Sequence, residues 1–164
     1  MSRGLHIRTG ATGYRDQLDR VLRYLDRGLA GEGGQNQRHI VDYQDDVWSF
    51  FQNCWHLKDW IRHDPEIEDD AKARFKAAVE NSPVLAIAND MADGTKHLEL
   101  HESRAGASYS HLSLATAGLI SAVECIIEVA GQHRTARELA TECVAECERI
   151  LGAKGLPVRS LRSL

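Results

Sequence analysis

Three groups of polar side chains in this chain are spaced so that they could act together. The stretch NDMADGTKH, residues 89–97, sets a carboxamide, carboxylates, a lysine and a histidine side by side. Lys96 is a point cation able to hold a phosphate, and His97 exchanges protons near neutral pH. That combination suits phosphoester cleavage without a metal. If the preceding helix ends near Met91, Asp93-Gly94 forms the turn and residues 95–97 lead into a strand. Asn89 and Asp90 then lie at the helix end, within reach of Lys96. The plainer alternative is a capped helix end with its polar residues in water.

The second group is His56, Asp59, Trp60 and His63, three or four positions apart and therefore on one face of a helix. Asp59 could orient either imidazole, and Arg62 stands at the edge. Taken as chemistry, Lys96, His97, His56 and Asp59 are the catalytic candidates, with Asn89, Trp60, His63 and Arg62 as binding residues. Taken plainly, the face is a surface patch whose histidines pair locally. A large exposed aromatic such as Trp60 marks contact surfaces, although burial against the last helix would account for it equally.

The third group is His97, Glu99 and His101. In a strand all three point to one side, about 6–7 Å apart at i and i+2, which is wide but workable for ligands of one ion. His56 or His63 would complete a zinc shell. The same alternation describes the wet face of an ordinary strand, and the HExxH pattern of zinc hydrolases is absent. Cys143 and Cys147 are one turn apart on an apolar stripe, where a thiol packs and is a poor nucleophile. Ser108, Ser110 and His111 carry no nucleophile-elbow pattern. The glycines form no GxGxxG, GKS or GKT loop, so no cofactor is expected.

The elements that would position these groups are legible from periodicity. In 14–29, Tyr14, Leu18, Val21, Leu22, Leu25 and Leu29 share one helical face, and GEGGQNQ at 31–37 reads as the loop that ends it. An aromatic helix over about 45–63 carries Val47, Phe50, Phe51, Cys54 and Ile61, a stripe that Trp48 and Trp55 widen. A helix this apolar is expected at the centre of a bundle. Asp64-Pro65 predicts a cap and start for a third helix at roughly 65–80, bearing Ile67, Ala71, Phe75, Ala78 and Val79. Ser82-Pro83 repeats the device for a short apolar helix of about 83–91.

The period then changes. Leu98 and Leu100 alternate with His97, Glu99 and His101, and Val123, Cys125, Ile127 and Val129 alternate with Glu124 and Glu128. Both segments read as strands with one wet face. RAGASYSHLSLATAG between them fits a strand, a turn or a loop. Gly131 is expected to close a sheet of two to four strands, and Thr135 with Glu138 predicts a capping box for a last helix at 135–151. The expected fold is α+β: a bundle of about four to five helices with a small antiparallel sheet inserted before the C-terminal helix. Residues 1–164 read as one domain, with 153–164 a flexible tail that frays or docks on a partner.

Bulk properties narrow the function classes. The chain has 164 residues, 43% apolar and 27% charged, as in ordinary soluble domains. A net charge of −4 gives the whole surface no attraction for a polyanion, so RNA binding would need a local basic patch. PVLAIA, the longest apolar run, is too short to span a bilayer, and MSRGLHIRTG lacks a secretory h-region. The four cysteines, Cys54, Cys125, Cys143 and Cys147, form no CxxC pair. They read as buried thiols of a cytoplasmic protein.

CWHLKDWI at 54–61, followed by a helix and NDMADGTKH, resembles a family of small uncharacterised bacterial proteins with a Cys-x-His-x-x-Asp-Trp helix and an (Asn/Asp)-Gly-x-Lys-His turn. The likeness covers about 45 residues. More distantly, the helical part is similar to the HEPN superfamily, which implies a metal-independent endoribonuclease of toxin or phage-defence type, acting as a homodimer. HEPN ribonucleases carry an Arg, four to six residues, then a His. Here Arg104 and His111 match that spacing, but in a Gly- and Ser-rich segment read as sheet. Lys96-His97 is better placed but has no Arg at the right distance upstream. HEPN members without catalytic activity bind partners or nucleotides. Three tryptophans on one helix, a sheet edge and a dockable tail favour a non-catalytic interaction or sensing module, with a protein partner or a second copy. The ribonuclease, with RNA as substrate, is the alternative.

Overall fold

Among the described residues the apolar stripes give five α-helices, and the alternation of Val123, Cys125, Ile127 and Val129 gives the middle strand of a three-stranded sheet. The structure, a computed structural model, describes residues 13–29, 40–94, 105, 107–117 and 120–156. Helix α1 spans Tyr14–Tyr24 and continues into one π-helical turn, Leu25–Leu29. Its stripe of Tyr14, Leu18, Val21 and Leu22 is buried, and the wider turn still delivers Leu29 to the core. Helix α2, Ile40–His63, begins five residues earlier than Asp45 and is the central element. It packs against α1, the later helices and the sheet, as its aromatic stripe requires. Phe50 and Phe51 meet edge to face with ring centroids 5.1 Å apart. Each such ring, fully buried, contributes roughly 1.5–3 kcal/mol.

The expected start of the third helix is corrected. Helix α3 is Asp69–Glu80, four residues later than Asp64-Pro65 suggests. Asp64 has another task. Its buried carboxylate accepts the Tyr14 N–H at 2.9 Å and the Glu66 N–H at 2.9 Å. One side chain at the end of α2 thus caps the first turn of α1, fifty positions away in sequence. Gly13 makes this possible: its φ is 68°, and a Cβ there would collide with the Asp64 carboxylate. With residue 64 occupied in this way, residues 65–68 wind through a turn that buries Ile67 before α3 begins.

Helix α4, Pro83–Gly94, starts at the expected Ser-Pro device, with Ser82 Oγ accepting the Leu85 N–H at 3.3 Å. The same hydroxyl donates to Glu146 Oε1 at 2.9 Å and so ties α4 to the last helix. The helix runs three residues past Met91, because Ala88, Met91 and Ala92 all find core partners.

RAGASYSHLSLATAG resolves into a strand. Strands β1 (Ala107–Ala117), β2 (Ile120–Val129) and β3 (Gln132–Thr135) form an antiparallel sheet in that order. The β1–β2 register shifts between Tyr109 and His111. Gly131 does not close the sheet. Ala130 and Gly131, with φ of 49° and 78°, make a two-residue hairpin turn that leads into β3. Helix α5, Ala136–Ala153, follows with the predicted capping box of Thr135 and Glu138. The fold is α+β, a helical bundle with a small antiparallel sheet inserted before the final helix. The expected loop at 31–37, the strand around 97–101 and residues 157–164 of the tail lie outside the described residues.

Candidate functional site

The aromatic–basic face of α2 is assembled around Trp60. His56, Asp59 and Trp60 are half-buried, and Arg62 and His63 are exposed. Helix α1 supplies a component that composition did not single out. The Arg20 guanidinium lies over the Trp60 ring, 5.5 Å from its centroid. Its Nη1 donates to Gln17 Oε1 at 2.9 Å, and Gln17 Nε2 donates to the backbone carbonyl of Asn53 at 2.8 Å and to Asn53 Oδ1 at 3.0 Å. Asn53 Nδ2 in turn donates to the Ser49 carbonyl at 2.6 Å.

A relay from Ser49 through Asn53 and Gln17 therefore fixes Arg20 on the indole. Gln17 is only 1% exposed, so the relay is built into the α1–α2 contact. The signal was present in the sequence: Gln17 is a polar residue set within the apolar stripe of Tyr14, Leu18 and Val21. Trp60 is thus covered from α1. Lys58 lies 4.4 Å over the Trp55 ring and 3.5 Å from the Asp59 carboxylate.

The first half of NDMADGTKH is helical and mostly inside. Asn89 and Asp90 do not sit at a helix end. They are in the body of α4 and buried, with Asp90 1% exposed. Asp90 Oδ2 accepts the Ala105 N–H at 2.8 Å, and Asn89 Nδ2 approaches Asp90 Oδ1 at 3.4 Å. Asp93 and Gly94 belong to the last turn of α4 instead of forming a free turn. The buried Asp90 carboxylate thus holds Ala105, two positions before β1. Lys96 and His97 lie outside the described residues, as do Glu99, His101 and Arg104. His111 falls on β1 opposite Ile126, on a strand and not on a helix.

Among the described residues, no three His, Cys, Asp or Glu side chains are grouped to hold a metal ion, and no helix is long and apolar enough to cross a membrane. All four cysteines are buried with free thiols. Three converge: Cys54 Sγ of α2 lies 3.8 Å from Cys147 Sγ of α5, and Cys143, one turn from Cys147, lies within hydrogen-bonding reach of Cys54. Cys143 also donates to the Val84 carbonyl of α4 at 3.7 Å. The hydrogen bond with Cys143 and then burial push the Cys54 thiol well up, while the contact with Cys147 pulls the other way. Cys147 is raised by its bond to Cys54 and by burial. Neither is an activated nucleophile in the folded state.

No protein-family model, curated protein or solved structure matches this chain.

Proposed function

We propose that this protein is a non-catalytic interaction module whose α1–α2 face binds an acidic segment of a protein partner. The observation that carries the reading is the Arg20–Trp60 pair, held in place by Gln17 and Asn53 before any partner arrives. Arg and Trp are the side chains that most often dominate binding at protein interfaces, and fixing them in advance lowers the ordering cost of association. Arg20 gives that face a fixed cation, which favours a partner bearing carboxylates despite the net charge of −4. The cytoplasm is the compartment that its four free thiols suit.

The test is affinity capture followed by reconstitution with the purified partner, using the wild type, Trp60→Ala and Arg20→Gln. Binding that weakens by about tenfold or more in both variants supports the reading. Equal binding by all three removes the face from the reading. Concentration-dependent sedimentation of the wild type, lost in Trp60→Ala, would reassign the occupant to a second copy. Cleavage of a mixed RNA pool in EDTA, abolished by His97→Ala, would replace the module with the HEPN-like endoribonuclease.

A further inference from the structure

Three of the four cysteines meet in the core between α2, α4 and α5, although sequence places them in two distant segments. Cys54 and Cys147 are 93 positions apart, and their sulfurs touch at 3.8 Å. Cys143 and Cys147 share the buried face of α5; Cys143 reaches both the Val84 carbonyl and Cys54, and the direct sulfur–sulfur contact at 3.8 Å singles out Cys54 and Cys147 as the pair. Two thiols in direct contact need their sulfurs to approach by only about 1.8 Å to reach disulfide bonding distance.

We propose that Cys54 and Cys147 form a reversible disulfide under peroxide, clamping α5 onto α2. The thiols are shielded in the closed fold, so reaction follows a local opening of α5. One sulfur, as its thiolate, attacks an oxygen of hydrogen peroxide. The O–O bond breaks, a sulfenic acid forms, and the departing hydroxide takes a proton to leave as water. The second thiol attacks the sulfenic sulfur, the S–S bond forms, and the S–OH oxygen leaves as a second water with the thiol proton. The pair loses two electrons and two protons, and peroxide gains them. Cys143, alongside, offers a third thiol through which the bond can exchange when a reductant arrives.

Closing a chain segment of this length restricts the unfolded ensemble strongly, so the oxidised form is the more stable one. Because α2 carries Trp60 and its neighbours, the clamp fixes the helix that presents the interaction face. The clamp itself depends on the core geometry and not on what that face binds.

The experiment treats the full chain with hydrogen peroxide, blocks remaining thiols, and maps disulfides in a non-reducing digest alongside thermal melting. The expected result is a peptide joining Cys54 to Cys147, with a melting midpoint on the order of 5–10 °C higher that dithiothreitol reverses. Cys147→Ala loses the rise and Cys125→Ala keeps it. The mapping on the wild type stands even if Cys147→Ala folds poorly. Sulfinic or sulfonic acid without a disulfide overturns the proposal. So does any other pairing, or a crosslink that appears only after unfolding in urea.

Discussion

The Arg20 guanidinium sits 5.5 Å above the Trp60 ring, and a buried side chain of its own helix, Gln17, holds it there. The pair is worth on the order of 0.5–2 kcal/mol as a cation–π contact, but its placement matters more than its energy. Gln17 spans two helices, receiving Arg20 on its oxygen and giving its amide to Asn53. Replacing Gln17 with Ala removes both ends of this relay. The expected cost is about 1–2 kcal/mol of stability, read as a lowered denaturant midpoint. Partner binding should fall further than stability does, because Arg20 becomes free to leave the indole. Gln17→Glu is the useful contrast: it keeps an acceptor for Arg20 and loses the donors to Asn53. Unchanged indole fluorescence and unchanged binding in Gln17→Ala would show that Arg20 holds its position without help.

The join between α1 and α2 rests on Asp64. Its carboxylate takes the N–H of Tyr14 and that of Glu66 from within the protein interior. Asp64→Ala strands the Tyr14 donor and is expected to cost about 1–3 kcal/mol. Gly13→Ala should cost at least as much by a different route, since the added methyl meets the carboxylate and residue 13 must keep a positive φ. The double variant tests the coupling. If Asp64 is already absent, the methyl has room, and the two losses should sum to clearly more than the double variant shows. Strict additivity in thermal melts would separate the two residues.

A corresponding argument applies to Asp90, which lies on α4 and accepts the Ala105 N–H. Asp90→Leu replaces the carboxylate with an apolar side chain and deprives that donor of its acceptor. About 1–3 kcal/mol is expected to be lost. Amide exchange at Ala105 should speed up by more than it does at Phe50, which is buried in α2. Equal acceleration at both amides would mean that the variant lowers global stability only, and that Asp90 is no anchor for the segment before β1.

What the sequence yielded depended on whether the cause was local. The stripes of α1, α2 and α5 come from residues three and four apart, and they were readable, as was the Thr135–Glu138 box. The alternation of Val123, Cys125, Ile127 and Val129 gave β2 for the same reason. Asp64 was misread because Asp before Pro is a local cap signal, whereas its real partner is fifty positions upstream. Asn89 and Asp90 were misread because polar residues near an Asp-Gly pair resemble a helix end. The packing of Met91 and Ala92 extends α4 beyond them. The small residues of β1 carry no strong preference, and pairing with β2 decides their conformation. Long-range contacts also decided the parts of the candidate site that were missed. Arg20 over Trp60 and Cys54 against Cys147 join segments whose spacing carries no trace of the meeting.

The buried Cys125 thiol makes the alkaline limb of stability the most direct electrostatic test. Burial raises it from the ordinary 9.0 to about 12. Tyr43 of α2 is raised too, first by its own burial, while a hydrogen bond from the Cys125 backbone partly offsets this. The unfolded chain loses the thiol proton from about pH 9, whereas the folded chain keeps it to about pH 12. Between those values the unfolded state binds fewer protons, so stability falls as pH rises. The contribution is fully present below pH 9 and is lost by about pH 12, a span on the order of 4 kcal/mol for this one group. Cys54 and Cys147, also raised, steepen the same limb. Cys125→Ala should start slightly less stable at pH 7 and then decline more slowly from pH 9 upward, so that its denaturation curve approaches or crosses that of the wild type. Parallel declines would mean that the Cys125 thiol ionises alike in both states, and that the alkaline loss belongs to Tyr43 and the α2–α5 thiols.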